Sequence, residues 1–483
     1  MAFRFSSPST TLSQKYGCRQ REQRAHGLKL PYDILVYIFE KLEDDYKALF
    51  RCSLLNWEAN HAAIPFLYRS VVFEPTYWYG YQGKAIGEQD SPNLWSACLS
   101  RHAVHVRHFE VRGYLSLSSS SRNRANLTRN ISNAIKSFPN LRAVKFLPKS
   151  YYPDLFSESL QALSENACPY LTELTIDESS FTDKNIPAVL KIGGLRKLVI
   201  EYASTAVAET LREGWLDMSS ETLTTLRFEG VCLPITADIL NSQVHNLQNL
   251  EVFNLGLIEE SNDPNLYAFL ESLPRLHALS LYYNEEHFDN VEFGQPCRLS
   301  QLKSLTIRYF GPQSQNDIDK LCRWVHRIVA GSPLVEDLLL IDDNGESIHS
   351  FTQPSVVASF DLLVPYLATK RMNRLRRLQL PNGYLGRASL ESVCSTCSHL
   401  EDLSVATSKA SLMGFIRSSS SIRRRFSIKK AVFNLRRTVG MEDTDVSLSL
   451  AEATEVVQKL PNLREFTVNK AVWETSFNPG TVD

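Results

Sequence analysis

Few residues in this sequence have a spacing that could support chemistry. Cys394 and Cys397 have the C-x-x-C spacing of a zinc-ligand pair, but a zinc site takes four protein ligands, or three and a water, and no second pair lies nearby. Gly80, Gly83 and Lys84 do not form a phosphate-binding loop, because the glycines are too close together and no Ser or Thr follows the lysine. No H-E-x-x-H or G-x-S-x-G motif is present. We therefore expect a non-catalytic protein without a metal or a cofactor.

A basic, serine-rich stretch, FIRSSSSIRRRFSIKK from Phe415, is a candidate regulatory segment. The arginines at 423–425 precede Ser427 in a pattern typical of basic-directed kinase sites, so phosphorylation of Ser427 is one hypothesis. A phosphate would add roughly two negative charges to this positive segment and could order it through arginine pairing. The same stretch also fits a nuclear address, or a solvated loop or convex face.

Composition and charge exclude several classes of function. Of the 483 residues, 43% are hydrophobic and 22% charged, which is typical of a globular chain. The net charge of -1 provides no bulk attraction to nucleic acid or to a membrane surface, and no apolar run is long enough to cross a bilayer. Residues 1–28 are polar and lack the apolar region of a secretory signal, so we predict a disordered tail. Nine cysteines suit reduced thiols in the cytoplasm or nucleus.

An internal repeat occupies most of the chain. The phrase L-x-x-L-x-L, with other apolar residues allowed, recurs thirteen times. Successive copies start 35, 30, 24, 28, 27, 26, 26, 33, 40, 25, 28 and 35 residues apart, and the middle of this series is the period of leucine-rich repeats. The copies start at Val106, Leu141, Leu171, Leu195, Leu223, Leu250, Leu276, Leu302, Val335, Leu375, Leu400, Ile428 and Leu463.

Each phrase predicts a short strand, and the segments between phrases have a helical pattern. One strand and one helix cannot bury their apolar face alone, so the units must stack into a solenoid. We predict an α/β solenoid over residues 104–470, an irregular array of about 12–13 leucine-rich repeats with strands on the concave side, followed by a C-terminal tail at 471–483. Longer segments that begin at Phe310 and Asp342 are either binding loops or enlarged helical elements.

The outward positions of the predicted strands should form the partner-binding face. They carry both signs of charge, so they do not indicate the charge of a target. Tyr282 and Arg308 lie on neighbouring strands and are residue types common at interface hot spots. We place the centre of a target site there, with Arg227, Glu229 and Arg377 as further contacts. The outward positions include Glu173, Thr175, Asp177, Lys197, Glu201, Arg227, Glu229, Tyr282, Arg308, Asp337, Arg377, Gln379 and Asp402.

Residues 29–73 carry a separate helical pattern ahead of the repeats. Leu30 and Pro31 open a helix, and Asp33 places an anion near its positive end. Two further apolar runs follow a polar break at 43–45. A segment of this length cannot bury all of its apolar surface. We therefore expect another protein to cover part of it. The apolar positions of the first helix recur at helical spacing and are Ile34, Leu35, Ile38, Phe39 and Leu42.

This segment resembles the F-box, the helical module that docks its protein onto the Skp-type adaptor of cullin-based ubiquitin ligases. In two places it departs from the pattern. The loop between the first two helices is about two residues longer than usual, and Ala59 stands where the family often has Trp, with Trp57 two residues earlier. The matching residues are Leu30, Pro31, Asp33, Ile34, Leu35, Ile38, Leu42, the run Cys52–Leu55, and the ending Leu67–Phe73, which is similar to that of fungal members.

The resemblance implies a small three-helix F-box at 29–73, joined to the repeats by a connection at 74–103. It further implies a substrate-recognition subunit of a Skp–cullin–F-box (SCF) ubiquitin ligase in the cytoplasm or nucleus. Its partners would be a Skp-family adaptor, cullin through that adaptor, and an unidentified target. One alternative is a repeat scaffold with a degenerate F-box and no ligase connection, and another is an ordinary helical cap on the repeats. The implied adaptor-binding residues are Leu30, Pro31, Ile34, Leu35, Ile38, Leu42, Leu54 and Leu55.

Overall fold

The computed structural model divides the chain into two compact units, residues 1–66 and residues 67–483. The structure describes residues 30–74, 91–115, 121–152, 154–165, 168–259, 261, 263–284, 296–311, 314–343, 359–369, 374–418, 427–436, 447–460, 462–469 and 471–474.

The N-terminal unit is helical. It contains α1 (Tyr32–Lys41), α2 (Tyr46–Ser53) and α3 (Trp57–Leu67), the last of which ends at the boundary between the units. Local sequence explains where these helices begin. Pro31 precedes α1, and the Asp45 carboxylate accepts the Ala48 N–H at 2.9 Å and caps α2. At the start of α3 the Ala59 N–H donates to Asn56 Oδ1 at 2.7 Å.

The core of the N-terminal unit is small. Phe39 from α1 and Leu49 from α2 are buried with three alanines of α3, Ala59, Ala62 and Ala63. Three alanine side chains allow helices to pack closely but contribute little buried area. Much of the larger apolar surface of this unit therefore stays exposed.

A single sheet forms the backbone of the second unit. Its strands pair in strict chain order, β1 to β15, and all adjacent pairs are parallel except the last. In chain order the described strands are β1 (Ser70–Phe73), β2 (His108–Tyr114), β3 (Ala143–Ser150), β4 (Glu173–Asp177), β5 (Lys197–Glu201), β6 (Thr225–Val231), β7 (Val252–Leu257), β8 (Ala278–Tyr283), β9 (Ser304–Tyr309), β10 (Asp337–Asp342), β11 (Arg377–Tyr384), β12 (Asp402–Thr407), β13 (Lys430–Leu435), β14 (Glu465–Val468) and β15 (Ala471–Glu474).

The repeat phrase predicts the strands accurately. Each strand from β2 to β14 begins two residues after the start of one of the thirteen phrases. The α/β solenoid prediction is therefore confirmed. The thirteen copies leave out the two terminal strands, although Tyr68, Val71 and Phe73 keep the spacing of the phrase around β1. β1 lies in the segment assigned to the N-terminal module, yet it pairs with β2 from Ser70 opposite His108, and β15 turns back antiparallel on β14 within the predicted tail.

Helices follow most strands, and neighbouring helices contact one another, as α6 does with α7 and α12 with α13. The remaining described helices are α4 (Leu94–Ala97), α5 (Ser100–Ala103), α6 (Ser121–Ser137), α7 (Ser157–Ser164), α8 (Ile186–Val189), α9 (Thr205–Arg212), α10 (Ala237–Ser242), α11 (Pro264–Glu271), α12 (Gln315–Ala330), α13 (Leu363–Thr369), α14 (Arg387–Thr396), α15 (Lys409–Ser418) and α16 (Leu450–Lys459), with short 3₁₀ turns at Glu178–Ser180, Trp215–Ser219 and Val244–Asn246.

One continuous apolar core runs along this unit. Alternate strand residues point into it, for example Leu226 and Phe228 of β6 and Phe253 of β7, all fully buried. Fully burying a side chain of this size stabilises the fold by roughly 1.5–3 kcal/mol. The strand residues between them point to the opposite side of the sheet, hereafter the open face.

The segment that begins at Phe310 forms a packed helix. Ser314 and Asp317 make a capping box at the start of α12, and its buried side includes Leu321, Trp324, Val325 and Ile328. An enlarged helical element is thus the right interpretation for residues 315–330. The segment from Asp342 contributes α13, and its residues 344–358 lie outside the described part. Within the described ranges, no helix has both the length and the apolar character that crossing a membrane requires.

Candidate protein-binding surfaces

The open face of the solenoid is laid out in rows, because the parallel strands are in register. The first row, hereafter the charge row, carries alternating charge in its C-terminal part. Arg377 Nη1 lies 3.8 Å from Asp337 Oδ2, and Arg377 Nε lies 3.5 Å from Asp402 Oδ2. Further along, Lys430 and Glu465 pair at 2.7 Å. From β4 to β14 the row reads Glu173, Lys197, Thr225, Val252, Ala278, Ser304, Asp337, Arg377, Asp402, Lys430 and Glu465.

Pairing within the charge row neutralises its charges locally. On the other side of the uncharged stretch, Lys197 Nζ lies 3.5 Å from Glu173 Oε2. Partly exposed ion pairs of this kind contribute at most about 1 kcal/mol each to the stability of the fold, because water screens them. Their effect on binding is greater, since within the charge row these pairs leave no large unpaired charge for a partner on either flank.

A groove lies between these flanks, across β6 to β9. Its volume is about 480 Å³. The floor of the groove is low because the charge row carries small or short side chains on these strands: Thr225, Val252, Ala278 and Ser304. The lining residues are Arg227, Phe228, Glu229, Gly230, Val231, Val252, Phe253, Asn254, Gly256, Leu257, Ala278, Leu279, Ser280, Tyr282, Ser304, Thr306, Arg308, Phe310 and Asp343.

Four of the five target-binding residues predicted from the sequence line this groove. Arg227 and Glu229 come from β6, Tyr282 from β8 and Arg308 from β9. The fifth, Arg377, lies in the charge row between two aspartates and not in the groove.

Tyr282 differs from the expectation of an outward, exposed side chain. It is only 7% exposed, and its ring packs against Phe310 with the ring centroids 5.1 Å apart. Burial, and after it the charge of Asp343, raises the pKa of the Tyr282 hydroxyl, which therefore stays protonated as a donor at neutral pH.

The charges of the groove cancel. Arg227 Nη1 lies 3.8 Å from Glu229 Oε1, and Arg308 Nη1 lies 3.3 Å from Asp343 Oδ1. Two buried polar atoms are left over: Arg227 Nε has no hydrogen-bond partner among the described residues, and Tyr282 Oη, although close to the Asp343 carboxylate, forms no hydrogen bond of normal geometry with them. Both are groups that can donate a hydrogen bond to an occupant.

The sequence analysis missed the apolar edge of the groove and the glycines beneath it. Val231 and Phe310 line the groove with about half of each side chain exposed. A Cβ on Gly256 would lie 2.3 Å from the Gly230 carbonyl oxygen, so β6 and β7 approach too closely for a side chain there. Two glycines at nearby positions of consecutive strands were the available sequence signal.

A row of carboxylates adjoins the groove on the side of β4 and β5. Asp177, Glu201 and Glu229 are directly opposite one another on consecutive strands. Asp177 is buried, accepts the Ser179 N–H at 3.1 Å and also binds the Ser179 hydroxyl. Burial raises its pKa to about 6. Asp177 therefore lies on the open-face row as predicted, but it is covered and holds the turn that follows β4.

The N-terminal unit has its own apolar surface. Most of the predicted adaptor-binding residues are exposed, namely Leu30, Pro31, Ile34, Ile38, Leu54 and Leu55, whereas Leu35 and Leu42 are partly buried. Exposed aromatic residues that the sequence analysis did not include add to this surface: Tyr32, Tyr37, Phe50 and Trp57.

The two positions that depart from the F-box pattern have opposite environments. Ala59 is 2% exposed and belongs to the small core, which leaves no room for a tryptophan. Trp57 is 76% exposed and stacks on His61, with the ring centroids 5.3 Å apart and the planes within 4°. Trp57 thus presents a large apolar side chain at the surface.

The remaining candidates from the sequence are not brought into a site. Cys394 and Cys397 are buried, free thiols at the end of α14, and burial raises their pKa, for Cys397 to about 11. The described residues contain no group of three or more His, Cys, Asp or Glu arranged to hold a metal. The Ser427 hydroxyl donates to the Ser398 carbonyl at 2.9 Å. The arginines at 423–425 and the Gly80–Lys84 segment lie outside the described residues.

Comparisons with known proteins give a limited result. No family model and no curated protein matches this sequence. Among solved structures, the crystal structure of a TLR13–ssRNA13 complex is similar, with a TM-score of 0.41 and 15% identity. The match covers 75% of this chain and 43% of that chain, so this protein spans less than half of its length.

The topology itself defines the class of protein. A long parallel sheet in strict chain order, with helices between the strands and the leucine phrase at the start of each repeat, is an α/β solenoid of the leucine-rich-repeat type. The chain is therefore a repeat protein.

Proposed function

We propose that this protein is the substrate-recognition subunit of an SCF-type ubiquitin ligase. The N-terminal unit binds a Skp-family adaptor, and through it cullin, while the open face of the solenoid binds a target protein. The chain performs no chemistry itself. It acts by proximity, because holding the target beside a ubiquitin-loaded conjugating enzyme raises the effective concentration of the target's lysines.

The observation that carries this proposal is the exposed apolar surface of the N-terminal unit. Monomeric proteins rarely leave large contiguous apolar patches in water, and such patches mark interaction sites. Leu54 and Leu55 are about 70% exposed in one short turn after α2. Together with Ile34, Ile38 and Trp57 they provide the kind of apolar anchors that a partner buries. Ile34, Ile38, Leu54 and Leu55 are among the residues that resemble an F-box, whereas Trp57 departs from that pattern.

Co-expression with a Skp-type adaptor, followed by size-exclusion chromatography, tests the proposal. We expect a stable one-to-one complex with the full chain. Replacing Leu30 and Pro31 together by alanine, or Leu54 and Leu55 together, should abolish the complex. The matched control is Leu450→Ala, which removes an equally exposed leucine from α16 in the other unit and should leave the complex intact. Adaptor capture that survives both double substitutions would disprove the assigned surface.

A repeat scaffold without a ligase connection is the alternative. The departure at Ala59 favours it, because a residue that often contributes to adaptor binding in the family is here a small buried alanine. Co-purification of cullin from cells separates the two functions. Its absence, together with a free and monodisperse protein in the co-expression experiment, would establish the scaffold.

A further inference from the structure

We infer that the groove across β6 to β9 binds an extended, uncharged segment of a partner protein that carries one large apolar side chain. The inference depends on the proposed function only in taking this segment to be part of the target. The groove itself belongs to the solenoid and does not involve the adaptor-binding surface.

The dimensions of the groove fit an extended peptide. Neighbouring strands are about 4.8 Å apart, so the span from β6 to β9 is about 14 Å. An extended chain advances about 3.4 Å per residue, so about four residues cross this span. Along it the second row of the open face presents Asn254, Ser280 and Thr306, which are short and polar. A peptide can therefore lie close to the sheet.

The unpaired donors indicate what the occupant must supply. Arg227 Nε is buried and has no hydrogen-bond partner among the described residues, and the buried Tyr282 hydroxyl forms no hydrogen bond of normal geometry with them. Buried donors without acceptors are costly, so a ligand that supplies acceptors is favoured. A peptide backbone offers one carbonyl acceptor per residue whatever its sequence. The spread of donors from β6 to β8 matches several carbonyls along one segment better than one compact anion.

The pairing of charges argues for an uncharged segment. Arg227 is paired with Glu229 and Arg308 with Asp343, so the groove has two positive and two negative side chains and no net charge. A strongly acidic or basic peptide would have to break one of these pairs in order to bind. The same neutrality disfavours a nucleic acid, whose binding depends on an excess of cations.

The apolar anchor follows from Val231 and Phe310. Both are about half exposed at the groove, and the ring of Phe310 is held by its packing against Tyr282. Exposed apolar side chains next to buried polar donors form the mixed surface that binds a peptide through its backbone and one large side chain.

Selection from a displayed library of random twelve-residue peptides tests the inference. The full chain, produced without an adaptor, is the bait. We expect enriched peptides to share one large aliphatic or aromatic residue within an uncharged stretch. Ser280→Arg fills the floor of the groove and should abolish binding of the enriched peptides. Thr467→Arg is the matched control, since Thr467 occupies the same second row on β14, outside the groove, and should bind like the parent protein.

A second variant keeps the test valid if Ser280→Arg fails to fold. Tyr282→Phe preserves the ring against Phe310 and removes only the hydroxyl. It should weaken binding of the enriched peptides about tenfold, measured by fluorescence anisotropy, while its circular dichroism spectrum and melting temperature stay close to those of the parent.

Several outcomes would overturn the inference: no enrichment by the parent protein, a consensus of acidic or basic residues, or unchanged binding by both Ser280→Arg and Tyr282→Phe. The failure of each proposal can be distinguished. Peptide binding without adaptor capture leaves the groove in place and removes the ligase role, whereas adaptor capture without peptide enrichment does the reverse.

Discussion

Tyr282 and Arg308 lie directly opposite each other on β8 and β9, but only Arg308 is exposed. Tyr282 is covered and holds Phe310 in place, while Arg308 extends to Asp343 at the edge of the groove. The two residues therefore have different roles in one site. The tyrosine shapes the groove and offers a hydroxyl, and the arginine provides contact surface.

Arg308 and Arg377 form a matched pair for testing the location of the site. Both are exposed arginines on the open face, each paired with carboxylates. We expect Arg308→Ala to weaken binding of groove-selected peptides by about tenfold, because arginine is a frequent interface hot spot, worth about 1–2 kcal/mol or more at such positions. Arg377→Ala should change binding less than twofold. Fluorescence anisotropy measures both, and equal losses would place the site elsewhere on the face.

Trp57 and Ala59 form a second pair, in the N-terminal unit. Trp57→Ala removes an exposed side chain, so we expect an unchanged melting temperature but weaker adaptor capture. Ala59→Trp forces a large ring into a full core and should destabilise the unit by about 1–3 kcal/mol or more. Limited proteolysis within residues 30–66 measures the second effect. Improved adaptor capture by Ala59→Trp would show that this position is a defect in the F-box.

Asp177 makes the stability of the solenoid dependent on pH. Its pKa is raised to about 6 in the folded protein from an ordinary value of 3.8, because it is buried. The folded state therefore favours the protonated acid. The contribution of protonated Asp177 to the stability of the fold is fully present below about pH 4 and is lost as the pH rises through about 6.

Asp177→Asn tests this dependence, because asparagine keeps an acceptor for Ser179 and cannot ionise. The variant should be more stable than the parent above pH 6, by up to about 3 kcal/mol, and the difference should shrink towards pH 4. Thermal unfolding between pH 4 and pH 8 measures it. A loss of stability that grows as the pH rises through 6 would contradict this and would mean that the ionised carboxylate is needed for its bonds to Ser179.

Gly256 determines how closely β6 and β7 approach under the groove. Gly256→Ala would place a Cβ 2.3 Å from the Gly230 carbonyl oxygen, so the two strands must separate. We expect a destabilisation of about 1–3 kcal/mol and the loss of peptide binding. Ser280→Ala, a small change on the neighbouring strand, should leave stability almost unaltered. A lowered melting temperature for Gly256→Ala alone would confirm the close approach.

Cys394 and Cys397 should be unreactive in the folded protein. Burial raises the pKa of Cys397 to about 11, so the reactive thiolate is scarce at neutral pH, and both side chains are inaccessible. Among the cysteines of the described residues, the partly buried Cys52 should react with iodoacetamide before Cys394 and Cys397, as mapped by mass spectrometry of the peptides. Rapid modification of Cys394 in the native protein would contradict its position in the core.

The local pattern of the repeat phrase was enough to predict the long-range architecture. Alternation of apolar residues determines which side of a strand is buried, and a unit that cannot bury itself must stack on its neighbours. The same logic placed Arg227, Glu229, Tyr282 and Arg308 on one face. It missed β1, although Tyr68, Val71 and Phe73 keep the spacing of the phrase, because this stretch was assigned to the N-terminal module. It also missed β15, which does not carry the phrase and is positioned by antiparallel pairing with β14.

By itself, then, the sequence determined the solenoid, its thirteen central strands and the face on which a partner should bind. Only the tertiary structure decided which part of that face is free. Arg377 and Arg308 look equivalent in sequence, but strand register places Arg377 between Asp337 and Asp402 and leaves Arg308 at the edge of a groove. The tertiary structure also decided that Tyr282 and Asp177 are buried. The exposure of a side chain depends on which residues the neighbouring strands and turns place next to it. The spacing of residues in the sequence does not contain that information.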